Sequence, residues 1–252
     1  MIKDKVLAIY DSHYPWNIPL KSFLEYAKDY QPTKFILGGD NWDLGILSHW
    51  NDTNFKNIGF NTISRELEKE SSGMKTQFDD FRKAMPKAEF YYIEGNHEYW
   101  LKGFREKYPQ MGELSLESLL ELKKRNIKLI PFKPKLDFLK VGKLYFKHGH
   151  QYGSSNPVKQ ALERSHKSIV IGHHHGAITW SSFSDVDDDD QHVGFLVPCY
   201  AKRAPDYGRG APNKWMNGFF FANIKDSGNF SAGIQLVSPE GKFITQSGRE
   251  YK

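Results

Sequence analysis

The chain has 252 residues, a length that is enough to bury one sizeable core. Hydrophobic residues make up 39% of the chain and charged residues 26%, a composition that excludes a disordered chain. Its apolar runs are too short for a transmembrane helix, so we expect no membrane partner. Lysine and arginine number 35 against 30 aspartates and glutamates, and the resulting charge of +5 mildly favours an anionic partner without identifying nucleic acid.

The first half of the chain predicts alternating strands and helices. Short apolar runs indicate the buried strands, and apolar residues at helical spacing indicate the amphipathic helices. In chain order the predicted elements are a strand at 5–10, a helix at 19–30, a strand at 35–38, a helix at 60–84, a strand at 89–93, and helices at 98–107 and 115–125. This order implies parallel strands with right-handed crossover connections.

The second half is richer in strands. It predicts strands near 128–131, 136–140 and 143–147, a helix at 157–166, a strand at 168–171, and short strands at 177–183, 193–199, 216–224, 230–237 and 242–246. The short alternating strands suggest antiparallel strands that complete a second sheet. We therefore expect an α/β sandwich in one domain.

Five short motifs carry most of the candidate chemistry, and each follows a predicted strand. They are Asp11-Ser12-His13, Gly39-Asp40-Asn41-Trp42-Asp43, Gly95-Asn96-His97-Glu98, His148-Gly149-His150 and Gly172-His173-His174-His175. Ligand sites of open α/β sheets lie outside the carboxyl ends of the strands. The five motifs are therefore expected to converge on one edge of the fold.

The residue types of these motifs point to a metal centre. Asp11 and His13 are two positions apart, as are His173 and His175, and in an extended backbone such pairs point the same way. Carboxylate, amide and imidazole ligands without thiolate favour Mn, Fe, Zn or Ni over a structural zinc site. Each motif alone is compatible with an ordinary turn, but the five together in this order indicate metal binding.

With these motifs the chain resembles the calcineurin-like metallophosphoesterases, in particular the compact phage and prokaryotic type. The resemblance covers residues 5–175. It implies a four-layer α/β/β/α sandwich of two mixed sheets, in a single domain over 1–252 with helical insertions at about 44–86 and 98–126. It also implies two divalent metal ions about 3.5–4 Å apart, with Mn²⁺ as the first choice and Fe, Zn or Ni as alternatives.

The resemblance assigns two sets of metal ligands that share Asp40. The first metal would take Asp11, His13, Asp40 and His175, and the second would take Asp40, Asn96, His148 and His173. A hydroxide bridging the two ions would attack phosphorus in line. His97, which is not needed as a ligand, would protonate the leaving oxygen, and Asp43 would hold His97 in the right tautomer.

Further candidates concern the substrate. Possible contacts are His150, Tyr99, Arg105 and Arg203, each with ordinary packing as the alternative. Leu44 stands where related serine/threonine phosphatases have arginine after Gly-Asp-x-Val-Asp, which counts against a protein phosphatase. We therefore predict a phosphodiesterase or nuclease acting on nucleic acid or nucleotides. A small-molecule phosphomonoesterase is the alternative, and a catalytically silent interaction scaffold is the third reading.

Location and assembly are weakly specified. Cys199 is the single cysteine, which excludes an internal disulfide framework, and the first residues lack the pattern of a signal peptide. We expect a cytoplasmic protein. A homodimer is an option that the resemblance allows, although no motif reports one.

Overall fold

The computed structural model describes residues 1–48, 59–109, 114–133, 137–184, 191–202 and 215–252. Within these ranges the helices are α1 Lys21–Tyr30, a 3₁₀ helix Gly45–Leu47, α2 Phe60–Ala84, α3 Asn96–Lys107, α4 Leu116–Leu119 and α5 Pro157–Ser165. The strands are β1 Ile2–Ile9, β2 Lys34–Leu37, β3 Glu89–Ile93, β4 Ile127–Ile130, β5 Leu139–Val141, β6 Leu144–Phe146, β7 Ser168–Ile171, β8 Ile178–Phe183, β9 Gln191–Leu196, β10 Gly218–Lys225, β11 Phe230–Leu236, β12 Phe243–Ile244 and β13 Glu250–Tyr251.

The first sheet has the strand order β11-β10-β1-β2-β3-β4. Strands β1 to β4 run parallel, whereas β10 and β11 add antiparallel pairs at one side. Ile9 pairs with Leu37, and Leu37 pairs with Tyr92, so three parallel strands end level with one another. The chain segments that follow β1, β2 and β3 therefore start from the same edge.

The second sheet has the order β5-β6-β7-β9-β8. Strands β6, β7 and β9 are parallel, and β5 and β8 form antiparallel pairs at the two edges. Phe146 pairs with Val170, and Val170 pairs with Phe195. The segments after β6 and β7 therefore also leave side by side, as parallel strands require.

Among the described residues, three apolar clusters lie between the layers and on their outer faces. Between the two sheets, buried side chains such as Val6, Phe146, Val170 and Phe220 form one cluster. On the other face of the first sheet, the aromatic and aliphatic faces of α1, α2 and α3 form the largest cluster. On the outer face of the second sheet, helix α5 packs on β7 and β9. The predicted α/β fold class, an α/β/β/α sandwich of two mixed sheets, is confirmed.

The helix predicted at 115–125 is wrong beyond its first turn. Helix α4 ends at Leu119 and turns follow, in which Glu121 and Asn126 adopt left-handed φ values of 49° and 52°. Leu120 and Leu122 are both fully buried. Residues two apart point to different sides of an α-helix, so a helix could not bury both against one surface.

Other strand predictions are displaced by a few residues. The strands predicted at 136–140 and 193–199 are Leu139–Val141 and Gln191–Leu196. Within the described ranges, every helix is too short or too polar to traverse a lipid bilayer.

Candidate metal centre

The five motifs meet at one edge of the sandwich. Backbone hydrogen bonds join the segments that follow β1 and β2, since the N–H of Asp11 donates to the carbonyl of Gly39 at 3.0 Å and that of His13 to the carbonyl of Asp40 at 3.0 Å. In the second sheet the N–H of Gly172 donates to the carbonyl of His148 at 2.8 Å. The N–H of His173 donates to Oδ2 of Asp11 at 2.8 Å, so the segments that leave the two sheets contact each other.

The backbone at the candidate ligands is not extended. The expectation that an extended backbone makes ligands two positions apart point the same way is therefore wrong. Left-handed φ values occur at Asp11 (49°), His13 (46°), Asp40 (48°), His173 (70°) and His175 (57°). Such a conformation costs a residue with a Cβ roughly 1–2 kcal/mol. Strain of this kind is concentrated at functional sites, where the surrounding hydrogen bonds hold it in place.

A first cluster of ligand atoms comprises Asp11, His13 and His175, which lie within 4.8 Å of one another. The Nε2 atoms of His13 and His175 are 3.3 Å apart, and Nε2 of His175 is 3.4 Å from Oδ1 of Asp11. The ring of Trp215 covers His175 edge to face at a centroid distance of 4.2 Å. The cluster is therefore buried under an aromatic side chain.

A second cluster comprises Asp40, His148 and His173, again within 4.8 Å, with Asn96 beside it. Nε2 of His148 lies 3.2 Å from Oδ2 of Asp40 and 3.0 Å from Oδ1 of Asn96. On the other side of the ring, Nδ1 of His148 donates to the carbonyl of Gly38 at 3.1 Å. This backbone hydrogen bond fixes Nε2 as the atom that faces the cluster.

The charges of the buried side chains at this site favour a bound cation. Burial alone would raise the pKa of Asp40, but His148 and His97 bring it well below its usual value. Burial would lower the pKa of His148, but Asp40 raises it to about 9. The carboxylate of Asp40 therefore favours positive charge beside it. Burial and the charge of His148 lower the pKa of His173 to about 3, so that ring is neutral at pH 7.

The donor set fits divalent metal ions. Oδ1 of Asp11 and Nδ1 of His173 are buried without a hydrogen-bond partner among the described residues. Leaving buried polar atoms unpaired is costly, and a bound cation would satisfy them. Carboxylate oxygens, imidazole nitrogens and the Asn96 amide oxygen are ligands that Mn, Fe, Zn and Ni accept.

His97 lies beside both clusters. Its Nδ1 donates to the backbone carbonyl of Asp43 at 2.6 Å, and its Nε2 is 3.7 Å from Oδ2 of Asp40. Trp100 stacks on the ring at a centroid distance of 4.1 Å. The carboxylate of Asp43 is 3.8 Å from Nδ1 of His97 but only 3.1 Å from Nδ1 of His13. His13, Asp43 and His97 also form a third group of atoms close enough to hold a cation.

The candidate substrate contacts are spread more widely. The His150 ring contacts Phe132 at a centroid distance of 4.6 Å and lies 5.7 Å from His148; burial lowers its pKa to about 4. Tyr99 also packs on Phe132. Arg105 is exposed in the last turn of α3, about 12 Å along the axis from His97 at 1.5 Å per residue. Arg203 lies outside the described residues.

Glu98 is a residue whose role the sequence alone did not reveal. It is fully buried, and its carboxylate accepts hydrogen bonds from the N–H groups of Asp40, Asn41, Trp42 and Gly95 at 2.8–3.1 Å. The hydroxyl of Tyr92 donates to it at 2.7 Å. The signal available in the sequence was a glutamate at the third position of a helix, typical of a capping box. Glu98 anchors the segment after β2 to helix α3.

Comparison with known proteins adds a family match. A sequence model described as calcineurin-like phosphoesterase matches residues 5–202. Among curated proteins, none matches the chain at a significant level.

Solved structures resemble the chain at low identity. A double mutant of Vps29 from Entamoeba histolytica is 13% identical with a TM-score of 0.45, covering 94% of this chain and 94% of that one. A predicted phosphoesterase from Streptococcus pneumoniae TIGR4 is 10% identical with a TM-score of 0.41, covering 100% and 98%. Vps29 from Chaetomium thermophilum is 10% identical with a TM-score of 0.42, covering 92% and 97%. Similarity of this degree carries no conclusion about function.

Proposed function

The chain belongs to the calcineurin-like phosphoesterase family, and from that premise we propose that it hydrolyses phosphate esters with two divalent metal ions. The observation that supports this most strongly is the meeting of two buried ligand clusters, one from Asp11, His13 and His175 and one from Asp40, His148 and His173. Asp40 would be the ligand shared between the ions, and Asn96 would complete the second set.

When bound, two such ions would lower the pKa of water and offset the negative charge of the phosphate. His97 would supply the proton to the leaving oxygen from Nε2, the atom that faces the centre. Its Nδ1–H donates to the carbonyl of Asp43, and a carbonyl can only accept. After giving up the Nε2 proton, the ring is therefore left in the tautomer that the backbone favours, while Trp100 stacked on it restricts its rotation.

For the substrate we propose a phosphodiester of nucleic acid or nucleotides. Support comes from two aromatic rings at the site, since Trp215 packs on the candidate ligand His175 and Trp100 stacks on His97. The net charge of +5 is compatible with an anionic substrate of this kind. Leu44 in place of an arginine supports the same choice against a protein phosphatase. A small-molecule phosphomonoesterase is the second candidate.

The test is release of p-nitrophenol from the mono- and bis-p-nitrophenyl phosphates in the presence of Mn²⁺, with EDTA as the control. Activity on both esters that EDTA abolishes supports a diesterase, and activity on the monoester alone supports the second candidate. Absence of activity with Mn²⁺, Fe²⁺, Zn²⁺ and Ni²⁺ would instead favour the interaction scaffold.

Four finer statements stay predictions. The single domain with its helical insertions is tested by limited proteolysis, a homodimer by sedimentation, and a cytoplasmic location by cell fractionation. Mn²⁺ as the native ion is tested by the metal content of protein purified without added metal.

A further inference from the structure

We propose that the carboxylate of Asp43 is a positioning group for His13, and that it sets the affinity of the first metal site rather than the orientation of His97. The inference deepens the proposed function and rests on it, since His13 is one of the proposed ligands. It differs from the expectation drawn from the sequence, in which Asp43 served His97.

The contact with His13 is the shorter one. Oδ1 of Asp43 lies 3.1 Å from Nδ1 of His13, and the two side chains are only 7% and 2% exposed. A carboxylate in this environment accepts and does not donate, so Nδ1 of His13 must carry the proton. In the neutral ring Nε2 then carries no proton, and this atom lies 3.3 Å from Nε2 of His175. That is the form in which an imidazole binds a metal.

His97 does not depend on this carboxylate. Its Nδ1 donates to the main-chain carbonyl of Asp43 at 2.6 Å, whereas Oδ1 of Asp43 is 3.8 Å away, beyond a normal hydrogen bond. A substitution of the Asp43 side chain leaves that carbonyl in place. The tautomer of His97 should therefore be unaffected by a change that alters the tautomer of His13.

The backbone holds Asp43 in position for this contact. The N–H of Asp43 donates to the carbonyl of Tyr14 at 3.1 Å, and the N–H of Tyr14 donates to the carbonyl of Asn41 at 2.8 Å. The segments that carry His13 and Asp43 are thus joined side by side. Gly45 leaves room for the carboxylate, because a Cβ there would lie 2.8 Å from Oδ2 of Asp43.

The second site has a separate anchor, which makes the effect selective. His148 is oriented by the carbonyl of Gly38, so its ligand atom does not depend on Asp43. Loss of a carboxylate that orients a metal-binding histidine lowers metal affinity by about 10- to 100-fold. Asp43→Asn should therefore weaken one of two Mn²⁺ binding events by that factor and leave the other unchanged.

The experiment combines calorimetric titration of Mn²⁺ with nitrogen NMR of ¹⁵N-histidine protein in the metal-free state. The matched control is Glu70→Gln, since Glu70 bonds Nε1 of the neighbouring Trp42 at 2.6 Å. We expect His13 to be protonated at Nδ1 in the parent protein and to lose this preference in Asp43→Asn, with one affinity reduced. The tautomer of His97 should be the same in Asp43→Asn as in the parent protein. The control Glu70→Gln should change neither the histidine tautomers nor the two Mn²⁺ affinities.

Two results would overturn the inference. One is Asp43→Asn altering the His97 tautomer while both Mn²⁺ affinities stay the same. The other is His13 of the parent protein carrying its proton on Nε2, a measurement that decides the question even if Asp43→Asn does not fold. Neither readout uses hydrolysis, so a protein that binds metal as described but cleaves no ester would contradict the proposed function alone.

Discussion

Individual side chains at the centre divide between those that face the proposed ions and those that hold the others in place. The sequence identified the candidate ligands because their residue types are distinctive and each follows a strand. It did not identify their backbone conformation or their partners. Spacing does not reveal that Asp11 and His13 are left-handed, nor that the Asp43 carboxylate lies nearer to His13 than to His97. Those facts depend on hydrogen bonds between distant loops.

His97 provides the first prediction at this scale. His97→Asn should lower kcat by about 10²- to 10⁴-fold, the usual contribution of a general acid, with the metal content unchanged. The matched control is His166→Asn, because His166 is exposed at the end of α5 with a left-handed φ of 48° that asparagine tolerates. Kinetics and elemental analysis decide the outcome. Loss of a metal ion in His97→Asn would make this histidine a ligand, as its place near His13 and Asp43 allows.

Glu98 provides the second prediction at the scale of single residues. Glu98→Gln places an amide NH₂ opposite backbone donors, and we expect unfolding free energy to fall by about 1.5–3 kcal/mol, the range for hydrogen bonds to charged groups. Glu94→Gln is the control, since Glu94 accepts a backbone bond from Phe132 at 2.7 Å and is only partly buried. Urea denaturation measures both. Equal losses in the two variants would argue against Glu98 as an anchor of the loop after β2.

At the scale of elements, the parallel strands bring the chemistry together. Their registers place the ends of β1, β2 and β3 level, and the alternation of strands and helices in the sequence was enough to predict this edge. The short helix α4 was not predictable in the same way. Its apolar residues have helical character locally, but burial of Leu120 and Leu122 against the rest of the molecule overrides it.

Gly172, which directly follows strand β7, connects this strand to the candidate metal centre. A Cβ at this position would lie 2.4 Å from the ring of Tyr10 and 2.5 Å from Oδ2 of Asp11. Gly172→Ala should displace Asp11, weaken Mn²⁺ binding and cost about 1–3 kcal/mol of stability, as overpacking does. Gly153→Ala is the control because nothing lies within 4 Å of its Cβ position. Calorimetry measures the Mn²⁺ affinity and urea denaturation measures the stability of each variant. Equal affinities and equal stabilities in the two variants would contradict this close packing.

At the scale of the whole molecule, loops that are far apart in sequence leave the two facing sheets at one edge of the sandwich. The β-rich second half predicted the second sheet, although its order, with β9 between β7 and β8, needs the folded chain to be seen. Of the candidate substrate contacts, Arg203 lies outside the described residues and Arg105 is exposed in the last turn of α3. The candidate ligands, by contrast, all lie within the described residues.

The central claim is that the loops at this edge of the sandwich bind two metal ions. Counting the bound ions tests the claim most directly. Purified protein dialysed against Mn²⁺ should contain two ions per chain by elemental analysis, and His173→Ala, which removes one ligand of the second site, should retain one. A parent protein that binds no ion, or a His173→Ala variant that still binds two as tightly as the parent, would contradict the account.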